Sequence, residues 1–166
     1  MTTHHAIPAA AAHGFAAQTS DPRYPLTLYY ESACPLCLSE MTNLMLRNTQ
    51  GLLQFVDVSA PDFQVPEGVT REALLTLMHG HTANGEWLRG VTVFELAYRA
   101  AGLPQVSRLL SNRWLRPVAD RLYPVIARNR HHLPRWLPHL MFETALRRAA
   151  EQAHQQRCDA GVCQRG

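Results

Sequence analysis

Apolar positions recur along this chain with two periods, and the switches between them lay out the elements. Residues 24–30 (Tyr-Pro-Leu-Thr-Leu-Tyr-Tyr) are dense in β-formers and read as a buried strand. Ser32 and Ala33 make a turn, and from Pro35 the period lengthens. Cys37, Met41, Leu44, Met45 and Asn48 fall at helical spacing, on a stripe that ends near Gln50-Gly51. Proline suits the first helical position, where its missing N–H would have had no partner. Leu52 to Val58 returns to strand, so strand, helix and strand form a βαβ unit with parallel strands and a right-handed crossover. Ser59 to Thr70, broken by Pro61 and Pro66, is loop, and Arg71 to Leu77 a short helix. Leu77 to His81 and Glu86 to Arg89 flank Asn84-Gly85, the best short hairpin signal. Thr92 to Ala101 is helical and stopped by Gly102. The sum is a small α/β sandwich.

From Leu103 the texture changes to Arg- and Trp-rich helical pieces, cut or kinked by Pro104, Pro117, Pro124, Pro134 and Pro138. Phe142 to Gln156 reads as a last helix. Residues 1–23 are rich in Ala, His and Thr without periodicity and are expected to be a mobile lead-in. Residues 24–148 then make one domain with its extra C-terminal helices, and 149–166 a helix end and cysteine-bearing tail. With 166 residues, 46% of them hydrophobic, the chain can build a core without a disulfide staple.

Charge is unevenly spread. All 16 basic residues are arginine; residues 1–102 hold 5 of them against 9 acids, and residues 103–148 hold 9 against 2. An anionic partner for the second half is implied, and the acidic first half of the same chain is the simplest one. Trp114, Trp136 and Tyr123 among those arginines are expected to pack the helices onto the sheet, with arginine stems covering them. No groove-reading motif occurs, so no nucleic-acid partner is expected; peripheral contact with a membrane surface stays open. No run of about 18 apolar residues is present to span a bilayer. The N-terminus lacks the basic region and continuous apolar stretch of a signal peptide, which sets a cytoplasmic location as the expectation.

In a reducing compartment, two close cysteines are more often catalytic or metal-binding than structural. The thiolate is the reactive form, and a helix N-terminus favours it through unpaired N–H groups and the helix dipole. Cys34 holds that position. Cys37, one turn further in, is expected to be the less exposed of the two, so Cys34 attacks and Cys37 resolves; Pro35 stiffens the loop between them. Zinc is the alternative, with Cys34 and Cys37 as half of a tetrahedral site and Cys158 and Cys163 as the other half. The tail pair could equally form a second dithiol. The redox reading needs no cofactor, only a disulfide-containing protein or small molecule and an external reductant. A third reading is an interaction domain without turnover.

Tyr30-Glu-Ser-Ala-Cys-Pro-Leu-Cys37, Phe55-Val-Asp57, His79, Gly85, Gly90 and Ile126-Ala-Arg-Asn-Arg130 together resemble the DCC family of thiol-disulfide oxidoreductases over residues 24 to 163. The resemblance implies a thioredoxin-like three-layer sandwich and a redox-active Cys-x-x-Cys. Glu31 stands where the family usually has Asp, and Ser32 where it has Gly, the more permissive residue. Thioredoxins also place a cis-proline just before the hairpin, and Arg71 to Met78 contains none.

Glu31 has two open roles: relaying a proton when Cys37 attacks, or capping the helix. Asp57, on a central strand among apolar neighbours, needs a partner, and Arg128 or Arg130 is the expected one, with Asn129 holding backbone in the same cluster. His79 reads as a satisfied strand histidine.

Overall fold

The computed structural model describes residues 20–132. The last helix, Trp136, Cys158 and Cys163 all lie outside the described residues.

Strand β1 (Leu26–Tyr30) leads into helix α1 (Pro35–Arg47) and strand β2 (Leu53–Asp57). Helix α2 (Arg71–Thr76), strands β3 (His79–His81) and β4 (Trp87–Arg89), and helix α3 (Val91–Ala100) complete the α/β unit. The sheet order is β2-β1-β3-β4. β1 runs parallel to β2, from Leu26 opposite Leu53 to Tyr30 opposite Asp57, as a helical crossover requires. β3 is antiparallel to both β1 and β4. A four-stranded open sheet with this order and these directions is thioredoxin-like, as the sequence pattern implied.

Alternation along β1 divides the core into two faces. Leu26 and Leu28 are fully buried on one face, with Met41 and Leu44 of α1 and Val93, Leu96 and Ala97 of α3. Tyr29 points the other way, to Val58 and Leu74 of α2. That gives helix, sheet and helix layers, each buried leucine contributing about 2 kcal/mol. Gly80 on β3 leaves room for α3: a Cβ there would lie 3.0 Å from Val93 Cγ1.

One local expectation is corrected. Helix α1 stops at Arg47, and Asn48 is no part of its apolar stripe: its amide donates to the Leu53 carbonyl at 2.8 Å and accepts the Leu53 N–H at 3.0 Å. A polar side chain able to serve both backbone groups ends the helix and anchors the next strand. In the hairpin, Gly85 takes φ +86°, and Thr82 and Glu86 bond across the turn.

Beyond α3 come α4 (Pro104–Leu110) and α5 (Arg116–Asn129). Pro104 and Pro117 start these helices rather than cutting them, since N–H groups in a first turn have no helical partner. Pro124 lies inside α5. Trp114 does not pack on the sheet; it is 74% exposed, with the Arg113 guanidinium 5.0 Å from its ring centroid. Tyr123 does pack inward, against the cluster shared by α1 and α3. The arginine-rich half meets the acidic half through Arg116–Glu95 at 3.1 Å and Arg130–Glu31 at 2.6 Å. No described helix is long and apolar enough to cross a membrane.

Candidate functional site

The parallel pairing of β1 with β2 brings the β1–α1 turn beside the end of β2. Cys34 then occupies the N-cap of α1, in extended backbone, and its Sγ accepts the Cys37 N–H at 3.5 Å. Both cysteines are free thiols.

Hydrogen bonding from the Cys37 thiol brings the Cys34 thiol down to about 6, against the opposing effect of burial. The Cys37 N–H and the charges of Arg130 and His131 act in the same direction. Cys37, the donor in that pair and partly desolvated, is pushed up. One sulfur is therefore set to ionise and the other to hold its proton.

Exposure is the reverse of expectation. Cys34 has no exposed surface, whereas Cys37 is partly exposed and lines a cavity. The capping sulfur turns back over the helix end, while a side chain one turn further in faces outward from the helix.

Glu31 does not cap α1; Cys34 does. The Glu31 carboxylate pairs instead with Arg130 at 2.6 Å and lies 3.3 Å from His131 Nε2. Arg130 also donates to the carbonyls of Leu75, Thr76 and Ala127, tying α5 to α2 and to the β1–α1 turn.

Asp57 has neither Arg128 nor Arg130 as a partner. Its Oδ1 accepts the Ser32 N–H at 3.1 Å, the Ser59 N–H at 2.9 Å and the Ser59 hydroxyl at 2.5 Å. Sitting at the strand end rather than among apolar neighbours, it is reached by turn N–H groups that neutralise its need for a cation. Burial pushes its carboxyl up, but these hydrogen bonds outweigh it and hold the group at about 2. Stability from Asp57 is thus present above about pH 4 and lost as pH falls through about 2. Acid unfolding in that window is expected to be shallower in Asp57→Asn, measured by circular dichroism; an unchanged profile would count against it.

Ser32 adds a contact of 3.0 Å between its hydroxyl and that of Ser59. No described non-glycine residue has a positive φ, so this turn does not require glycine. Asn129 bonds the Val125 carbonyl of its own helix at 2.8 Å rather than joining a cluster, and Arg128 is exposed. His79 is buried, its Nδ1 2.9 Å from the Leu77 carbonyl, as expected of a satisfied strand histidine.

Two roles were not foreseen. The Tyr123 hydroxyl accepts the Met78 N–H at 2.8 Å, at the start of β3 where a thioredoxin carries its cis-proline. The one cis peptide among the described residues is Tyr24-Pro25, ahead of β1. Glu40, three residues after Cys37, is 6% exposed, and burial pushes its carboxyl up. Its place beside Met41 on the inward stripe was the signal available. Among the described residues no group of three or more His, Cys, Asp or Glu could hold a metal. The four-cysteine zinc arrangement requires Cys158 and Cys163, outside the described residues.

A family model described as DCC1-like thiol-disulfide oxidoreductase matches residues 28–136. An uncharacterised chloroplastic protein of Arabidopsis thaliana is 29% identical over 110 residues, covering 64% of this chain and 51% of that protein. The chain thus spans about half the length of that relative. No solved structure matches significantly.

Proposed function

The chain belongs to the DCC1-like thiol-disulfide oxidoreductase family, and on that premise we propose that Cys34 and Cys37 are its redox pair. The substrate is a disulfide in a protein or small molecule, and an external thiol reductant restores the pair, within a reducing cytoplasm. The observation that carries this reading is the capping sulfur of Cys34, its thiol held near 6 beside a Cys37 that keeps its proton.

The Cys34 thiolate attacks one sulfur of the partner disulfide. A Cys34–partner disulfide forms, the partner's S–S bond breaks, and the leaving thiolate takes a proton from solvent. Cys37 then loses its proton and attacks Cys34, releasing the second partner thiolate. The partner gains two electrons, and the Cys34–Cys37 disulfide holds the corresponding oxidation. Cys34 has no exposed surface, so the partner's sulfur reaches it only as the covering side chains move.

Ultraviolet thiolate absorbance followed against pH, as the difference between the full chain and Cys34→Ser, tests the electrostatic basis. A midpoint near 6 is expected. A midpoint at the ordinary cysteine value, about 8.5, removes it.

A further inference from the structure

Helix α5 turns one side to the protein and leaves the other uncovered. Tyr123 and Ala127 sit on the inward side. On the outward side Val118, Leu122, Val125 and Ile126 fall within an arc of about 100°. Leu115 at the N-cap and Trp114 before it continue the apolar run toward the start of the helix. These six side chains are between 40% and 74% exposed. Leu122 and Ile126 also line the cavity beside Cys37, so the stripe borders the redox pair. A contiguous apolar stripe left open on a helix marks a contact surface, unlike single exposed leucines.

Charge says which kind. Arg121 and Arg128, both exposed, follow directly on one edge of the stripe. Neither forms an ion pair with a described carboxylate, and the same holds for Arg108 and Arg113; the Arg113 guanidinium lies over the Trp114 ring. Asp120, the acid of α5, is on another side of the helix and holds Arg116. Residues 133–166, which follow α5, carry 5 arginines against 3 acids and supply no net counter-charge. A second copy related by a two-fold axis would set the same arginines against one another. An anionic lipid surface complements the whole pattern. Apolar side chains enter the acyl boundary, guanidiniums stay with the headgroups, and tryptophan sits between them.

We propose that α5 docks this chain on an anionic membrane surface, lying in the interface plane. Trp114, Val118, Leu122 and Val125 enter the acyl boundary, and Arg121 and Arg128 hold the headgroups. The docking is peripheral and stands apart from the redox reading.

The test floats the full chain with vesicles of phosphatidylcholine alone, or of phosphatidylcholine and phosphatidylglycerol in equal parts. The mixed vesicles are expected to bind about thirtyfold more tightly, the worth of two arginines at an anionic surface. The pair Arg121→Gln and Arg128→Gln loses that preference. The pair Val118→Ser and Val125→Ser, which leaves the charge untouched, binds the mixed vesicles about tenfold more weakly. Circular dichroism checks that both variants fold. Mixed vesicles shift the emission of Trp114 to the blue, read as the difference between the full chain and Trp114→Phe. Equal binding to both vesicles, no binding, full binding by either variant or an unshifted Trp114 each overturns the proposal. So does a Trp114 shielded from acrylamide before any vesicle is added, which shows that the following residues or a second copy already hold this face. Vesicle binding without disulfide exchange supports the docking while removing the redox reading; exchange without vesicle binding does the opposite.

Discussion

Cys34→Ser is expected to lower reduction of insulin or a small aromatic disulfide by about a thousandfold or more, to the rate of a bare thiol in solution. The expectation follows from the division between the two sulfurs. Cys34 caps α1, and the Cys37 thiol, its N–H and the nearby Arg130 all stabilise negative charge on it. Cys37 retains its proton and cannot substitute as the first nucleophile. Cys37→Ser makes a different signature: Cys34 still attacks, nothing resolves the product, and a mixed disulfide accumulates that a non-reducing gel shows directly. Undiminished turnover by Cys34→Ser would falsify the assignment. A Cys37→Ser protein that turns over normally would instead show that an external thiol resolves the intermediate.

Arg130→Met is expected to cost about 3 kcal/mol of stability, because it strands a partner at a mostly buried ion pair. The Arg130 and Glu31 side chains are only 10% and 17% exposed. The guanidinium also serves the carbonyls of Leu75, Thr76 and Ala127, which lose that donor. A second effect is electrostatic. Arg130 lowers both cysteines, so its removal moves the Cys34 thiol upward from about 6. Arg130→Lys keeps a charge but not the planar fork, so the thiol is expected to shift less while much of the stability loss remains. Urea unfolding and the thiolate titration separate the two effects. If Arg130→Met unfolds like the native chain, the ion pair is not what joins α5 to the β1–α1 turn.

Patterning in the chain was enough for the sandwich and its cysteine pair. The β-rich stretch before Ser32, Pro35 at a helix start, and Asn84-Gly85 between two short runs are local signals. They specify β1, α1 and the hairpin because backbone preference within a few residues decides those features. What surrounds the cysteines was less legible. Asp57 was assigned an arginine and has two serines; Glu31 was given a cap or a proton relay and has Arg130, 99 residues away. A carboxylate takes whichever donor the packed chain brings within about 3 Å, and sequence distance says nothing about that.

The sequence by itself therefore determined the order of strands and helices, the placement of Cys34 at a helix start and the chemical potential of a dithiol there. Only the tertiary structure decided which sulfur is covered, which cation faces it, and that α5 closes over Cys37 with Tyr123 holding Met78. The physical reason is range. Periodicity and capping act within one or two turns, whereas burial and electrostatics at the site come from α5, nearly a hundred residues beyond the cysteines, and are set only when the layers pack.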